Sequence, residues 1–294
     1  MLSRITDEVN ECTAFIDIFP FKWMGRLFAP LVNDVYRHYR IIENLVLPEI
    51  ERRRIAARAD PKYTPPVDLL QFMLEFNDKN GDPNSTKDLT SSLMLTAFGA
   101  IATNVFIGTH FMYDVAAHPE VRERMYEEQQ RIIAKYGTAF SKEALRDMSY
   151  MESCLRETLR LNTHAIGTFR KMMTGFTFSN GLSVPAGRLC LVHTRAVNRN
   201  DKVYENANEY IPERVADPTN PRAATSVSGY VTFGMGEFGC PGRHFAVGQL
   251  KALMAVLIRR YDFTTKSGKR PKDKIQRVTE YLPIDEAVIF TPRA

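Results

Sequence analysis

The chain has 294 residues, a formal net charge of +5, 44% hydrophobic and 25% charged residues. That is ordinary globular composition and excludes wholesale disorder. The mild basicity comes without a dense Lys/Arg stripe interleaved with aromatics, so no nucleic-acid partner is expected; Glu51-Arg52-Arg53-Arg54 and the run 266–274 read as a solvated helix end and a loop.

The cysteines Cys12, Cys154, Cys190 and Cys240 stand too far apart for a zinc knuckle or a C-x-x-C pair, and the six histidines make no H-E-x-x-H cluster. Metal held by protein ligands alone is therefore not expected. The opening MLSRITDEVNEC is too charged for a signal peptide, and no run approaches the roughly 18 apolar residues of a membrane span.

In chain order, the apolar stretch FPFKWM at 19–24 reads as core, with a membrane surface or a substrate entrance as the other readings. A helix is predicted over 30–58 from the stripe Leu31, Val35, Tyr39, Ile42, Val46 and Ile50, kinked or split at Pro48. A short helix over 67–76 ends in the loop NDKNGDPNST. The next helix, 87–117, is apolar nearly all round between 93 and 111, which predicts burial on every side. Pro119 opens a helix to about 135, Ser141 caps a short one, and 150–161 is another full helix. The texture then changes: a hairpin over 177–184 turning at Asn180-Gly181, a strand over 188–193, and an irregular polar segment over 198–229. A strand-like run, 230–233, leads into FGMGEFGCPG (233–242) and a helix over 243–261, and the closing run 287–291 is expected to pair with 261–264.

Two readings compete for that loop. Gly234, Gly236 and Gly239 satisfy G-x-G-x-x-G between a strand and a helix, the dinucleotide fingerprint. That fold needs several strand–helix units downstream, and TTKSGKRPKDKIQRVTE with one short apolar run does not supply them. In the other reading Cys240 is the point of the loop. A thiolate is favoured at a helix N-terminus, Pro241 and Gly242 sit where the helix begins, and Gly239 and Gly242 keep side chains off a flat ligand. A lone cysteine suggests a metal whose other ligands come from a cofactor, and so haem; a buried free cysteine at a helix start is the competing structural reading.

Phe233-x-x-Gly236-x-x-x-Cys240-x-Gly242 resembles the haem-binding signature of the cytochrome P450 monooxygenases. Glu157-Thr158-Leu159-Arg160 resembles that family's E-x-x-R helix, and Pro212-Glu213-Arg214-Val215 its P-E-R-F segment. Thr103, within Phe98-Gly99-Ala100-Ile101-Ala102-Thr103-Asn104, falls where the family's long central helix carries its oxygen-activating threonine. The style of the loop and of LSVPAG is most similar to fungal secondary-metabolism members.

The resemblance implies a mainly α fold with small β-sheets, a P450-like fold truncated at its N-terminal side. It forms a single domain over 1–294, helical to about 162, with small strands and an irregular segment over 163–232, the cysteine loop and last helix over 233–261 and a tail over 262–294. It implies haem ligated by Cys240, with Phe233, Gly234 and Gly242 in the cofactor loop and Arg170 on a propionate. The apolar residues before Arg170, Ala165-Ile166-Gly167, would face substrate, and Thr103 would relay protons. Glu157, Arg160 and Arg214 would form a buried triad, although Glu152 and Arg156 make a competing pair on the same helix. The implied partners are a lipophilic small molecule and an NADPH-dependent flavoprotein reductase, with Arg243, Lys251, Arg259 and Arg260 as a docking face or a solvated helix face. Peripheral membrane contact at the cytosolic face of the endoplasmic reticulum is the implied location.

The sequence departs from the family at Phe238, usually a basic residue on a propionate, at Ala102, usually acidic, and at Asn104, usually Thr or Ser. The family's membrane anchor, N-terminal sheet and early helices have no counterpart before Met1. A truncated non-catalytic remnant and a haem-thiolate isomerase or dehydratase are the alternatives to a monooxygenase.

Overall fold

The computed structural model of the chain describes residues 35–76, 84–163, 168–215, 222–276, 280–283 and 286–293. The expectations for 19–24, for the start of the first helix, for 77–83 and for Ala165-Ile166-Gly167 lie outside the described residues. The backbone packs as two compact units, residues 1–102 and 103–294.

The first unit contains α1 (Val35–Ala59), α2 (Leu69–Glu75) and the opening turns of α3 (Thr86–Ala116), which runs on into the second unit. α1 continues unbroken through Pro48. Pro48 and Asn44, the residue whose carbonyl loses its partner, are both exposed, so the orphaned group is open to water. Arg53, in the run read as a solvated helix end, is buried instead, and it forks onto Asp68 with two bonds of 2.7 Å. Asp68 also caps α2 by accepting the Gln71 N–H, and Arg53 with that bond lowers its pKa to about 2.

The second unit holds the rest of α3 with α4 (Pro119–Tyr136), α5 (Lys142–Asp147), α6 (Ser149–Leu161), α7 (Thr194–Asn198) and α8 (Arg243–Arg260). Its core is built from Phe106, Phe111 and Val115 of α3, Met125 of α4, Met151, Leu155 and Leu159 of α6, and Leu250, Met254 and Ile258 of α8. Each such side chain contributes about 1.5–3 kcal/mol on leaving water. α6 is buried at every residue from Met151 to Leu161, charged ones included. Those charges must find partners inside, and they organise the site.

α3 is not buried on every side as its composition predicted. Between 93 and 111, Leu95 and Val105 are exposed and full burial begins only at Phe106, where α4, α6 and α8 supply neighbours. Composition specifies apolar turns without specifying which of them find a partner. α3 is also long and apolar enough to cross a membrane by length and composition alone, so the expectation that no stretch reaches that measure does not hold.

Every sheet among the described residues is an antiparallel pair: β1 (Thr168–Lys171) with β4 (Leu189–Val192), β2 (Phe176–Thr177) with β3 (Ser183–Val184), β5 (Tyr261–Thr265) with β8 (Val288–Pro292), and β6 (Asp273–Gln276) with β7 (Glu280–Pro283). The 177–184 hairpin and the pairing of the closing run with 261–264 follow the sequence reading, with Gly181 at φ 85° in the turn. The run 230–233 is not a strand. Only an isolated bridge joins Tyr230 to Val227, and the chain then turns as the Gly234 N–H reaches the Val231 carbonyl. With no parallel strand among the described residues, the glycine loop has no dinucleotide-binding frame there.

Candidate active site: the cysteine loop and its supports

The loop before α8 is closed by a bond from the Cys240 N–H to the Phe233 carbonyl, 2.7 Å. Within it Gly234 and Gly236 take φ of 73° and 68°, the left-handed region that L side chains rarely adopt. A single 3-10 turn, Gly236–Phe238, follows. A Cβ on Gly239 would come within 3.2 Å of the Gly236 carbonyl oxygen, so a side chain there would need the loop to give by a few tenths of an ångström. The Arg243 guanidinium donates to the Cys240 carbonyl at 2.8 Å. Cys240 is a free, half-buried thiol just ahead of α8, whose cap is Gly242; a Cβ at Gly242 would stand 4.0 Å from the sulfur. Phe233 packs on the core, while Phe238 and Phe245 on either side of the cysteine stay exposed at 71% and 64%.

The loop is tied to α6 through a residue that the sequence reading missed, Asn198 at the end of α7. Its amide donates to Thr232 Oγ1 (2.8 Å), its side-chain oxygen accepts the Val231 N–H (2.9 Å), and its carbonyl accepts from Arg160 (2.9 Å). Thr232 in turn donates to the Leu159 carbonyl at 3.0 Å. Asn198 is fully buried, which demands that all its polar groups be met. Only its place in a polar segment just before the loop hinted at this, and polar segments usually face water.

Arg160 is 1% exposed, and every one of its N–H groups has a use. It forks onto Glu157 at 2.7 and 2.6 Å and donates to the carbonyls of Asn198, Ala207 and Glu209. Glu157, fully buried, also accepts from Arg214 Nε at 3.2 Å and from the Ile211 N–H at 3.1 Å. One carboxylate and one guanidinium thereby fix an irregular stretch that has almost no ladder bonds of its own. Paired this way the ions keep their burial tolerable; a lone member would not.

Glu152 and Arg156 do not pair with each other. Glu152 accepts from Lys251 (2.8 Å), Arg222 (3.2 Å) and the Ala223 N–H, while Arg156 lies 3.7 Å over the Tyr230 ring and donates to the carbonyls of Arg222 and Thr225. Lys251 is 2% exposed, and burial lowers its pKa in spite of Glu152. Buried against Glu152, its ammonium is not open to a docking partner. Arg259 is committed too, to Gln129, the Thr138 carbonyl and the Phe140 ring. The basic stripe read along α8 is in part internal wiring.

Thr103 is an exposed residue of α3. The next residue, Asn104, donates to Gln249 of α8 at 2.9 Å, and one turn on a Cβ at Gly108 would touch Leu250 at 3.4 Å. Thr103 is thus carried on a helix packed directly against the one that follows Cys240. Arg170, opposite Cys190 in the β1–β4 pair, donates to the Phe169 carbonyl and stacks on Phe238, its guanidinium carbon 5.1 Å from the ring centroid. Strand β1 and the cysteine loop therefore meet through Arg170 and Phe238.

No group of three or more His, Cys, Asp or Glu side chains able to hold a metal occurs among the described residues. A metal at Cys240 has to bring its other ligands with it. A half-buried thiol beside glycines and exposed aromatic rings fits a metal set in a flat, apolar macrocycle.

The sequence model of the cytochrome P450 family matches residues 1–286, and the chain belongs to that family, whose cofactor is haem. The cytochrome P450 monooxygenase braC of Annulohypoxylon truncatum is 31% identical over 91% of this chain and 55% of its own length. Cytochrome P450 monooxygenase 151 of Postia placenta is 30% identical over 97% of this chain and 59% of its own. A retinoic acid-bound cyanobacterial P450, CYP120A1, superposes with a TM-score of 0.68 at 26% identity, covering 85% of this chain and 56% of that one. The chain spans a little over half the length of the relatives it matches.

Proposed function

We propose that the chain carries the thiolate-bearing part of a haem-dependent monooxygenase that oxidises a lipophilic small molecule, a terpenoid or polyketide, in fungal secondary metabolism. All 294 residues are taken as part of one P450-like domain. The observation that carries this reading is the free thiol of Cys240, presented ahead of α8 by a loop whose glycines leave space for a flat ligand. Family membership and relatives such as braC and paxQ of Penicillium paxilli, both named cytochrome P450 monooxygenases, support the activity. The retinoic acid of the cyanobacterial structure is a lipophilic ligand of the kind proposed.

Haem bound at this loop supplies the activation of dioxygen. Cys240 is the protein's ligand to the iron, and Phe233, Gly234 and Gly242 shape the loop against it. Arg170, braced by Phe238, offers its charge to a propionate. Thr103, on α3, would relay protons to the site. Glu157, Arg160 and Arg214 act at one remove, holding the loop through Asn198. Electrons come from an NADPH-dependent flavoprotein reductase, and a peripheral membrane position at the endoplasmic reticulum accompanies that partnership.

The test is the carbon monoxide spectrum of the reduced, haem-reconstituted chain. A red-shifted thiolate Soret band that Cys240→Ala abolishes is the expected result, and a chain that takes up no haem overturns the proposal. With reductase and substrate present, Thr103→Ala is expected to consume reductant without forming product; unchanged coupling would favour isomerase or dehydratase chemistry.

A further inference from the structure

The second unit contains a cavity of about 380 Å³, within the range of small-molecule sites, and none of its lining residues belongs to the cysteine loop. Three guanidiniums face it, those of Arg195, Arg199 and Arg270, together with the carboxylates of Asp114 and Asp273.

The carboxylates are already engaged. Arg270 binds both, Asp114 also accepts from Thr158 (2.7 Å) and Asn162 (3.2 Å), and Arg270 reaches His110 and Asn162 as well. Arg195 and Arg199 instead converge on one backbone oxygen. The Leu161 carbonyl, at the end of α6, accepts from Arg195 Nη1 at 3.1 Å and from Arg199 Nε and Nη2 at 3.2 and 2.7 Å. Arg199 also donates from Nη1 to Asn208 at 2.9 Å. These bonds use three of its five N–H groups and leave one on each terminal nitrogen, donors that an oxyanion could take up. Among the described residues Arg199 is in no ion pair. Burial, then the repulsion of Arg195 and Arg160, lowers its pKa to about 10. Arg199 therefore brings to this polar cavity a guanidinium that no carboxylate of the described residues pairs with, while Asp114 and Asp273 are taken by Arg270.

We propose that this cavity binds a small oxyanion, the phosphate or carboxylate group of a small molecule, gripped by Arg199 with Arg195 beside it.

The experiment follows thermal unfolding of the full chain while inorganic phosphate is titrated at ionic strength held constant with chloride. The expected result is a saturable rise in Tm that chloride alone does not give; at a hundred times Kd it corresponds to about a hundredfold in the folded-to-unfolded ratio. Arg199→Gln, similar in shape and uncharged, is expected to abolish the rise. Acetate forms the second arm: a rise with acetate alone assigns the site to carboxylates, a rise with phosphate alone assigns it to phosphates, and equal rises mean that it takes either oxyanion. The proposal is overturned if neither anion gives a saturable rise, or if the rise survives in Arg199→Gln. Should that variant fail to melt cooperatively, phosphorus NMR decides. Broadening of the phosphate line by the wild-type chain, reversed by excess sulfate, supports the site, and an unbroadened phosphate line together with an unbroadened acetate proton line overturns it.

Discussion

Arg170 rests its guanidinium over the ring of Phe238, 5.1 Å from the centroid. Phe238 is where the resemblance to the P450 signature led to the expectation of a base. The aromatic face there holds a cation that comes from strand β1, so the charge is borrowed across the site. A cation–π contact at an exposed position is worth about 0.5–1 kcal/mol, and Phe238 is 71% exposed, so its loss will not threaten the fold. Phe238→Leu is expected to speed haem transfer to apomyoglobin by about two- to fivefold, the equivalent of that energy, while Phe238→Tyr leaves the rate near wild type. Equal rates in all three proteins would mean that the ring does not position Arg170.

The triad yields an ordering. Glu157 is fully buried and serves Arg160, Arg214 and the Ile211 N–H at once. Glu157→Gln strands the Arg160 charge in the interior, an expected loss of about 3–5 kcal/mol. The Arg214 side chain keeps 14% exposure and one bond to the carboxylate, so Arg214→Leu is expected to cost only about 1.5–3 kcal/mol, the range for a hydrogen bond to a charged group. Urea unfolding of both variants measures the two costs, and the reverse order would contradict the geometry.

How much of this was legible in the sequence depends on how local the cause is. Ser141 as a cap, the Asn180-Gly181 turn and the helix opening at Pro119 follow from a few adjacent residues, and the structure has each. The glycine loop was legible for the same reason, because φ of 73° and 68° demands glycine at those positions. Partners chosen across long separations were not. Lys251 reads as one more base on a helix that ends in Arg259 and Arg260, yet it reaches Glu152 through the interior. Asn198 looks like a polar loop residue until its amide is seen meeting Thr232 and Val231. The apolar turns of α3 show the same limit: Leu95 and Phe111 are both strongly apolar, and of the two only Phe111 is buried.

Gly234 tests the loop by strain. A side chain at φ 73° costs about 1–2 kcal/mol in the left-handed region, and its Cβ would lie 3.4 Å from the Phe238 carbonyl oxygen. Gly234→Ala is therefore expected to lower stability by about that amount and to reduce the haem-to-protein ratio after reconstitution. Gly248, in α8 with nothing near its would-be Cβ, is the control. Gly248→Ala is expected to be neutral or slightly stabilising, since alanine is the better helix former. Equal behaviour of the two variants would show that the loop tolerates a side chain at position 234.

Glu128 gives the protein a pH dependence whose sign is fixed by burial. The side chain crosses from α4 to the start of α6 and accepts the N–H groups of Tyr150 (2.7 Å) and Met151 (3.0 Å), standing in for the cap that Met148 does not provide. It is 4% exposed, and burial raises its pKa above the ordinary 4.5 even though those two bonds pull the other way. Between 4.5 and the raised value the native state holds a proton that the unfolded chain has lost. Fewer protons on the unfolded side mean that stability falls as pH rises through this window. Glu128→Gln stays neutral throughout and is spared that fall. Urea midpoints of the two proteins, compared from below this window to neutral pH, are expected to lie closest in acid and then to shift steadily in the variant's favour. Parallel profiles would mean that Glu128 ionises in the folded protein as readily as in the unfolded one.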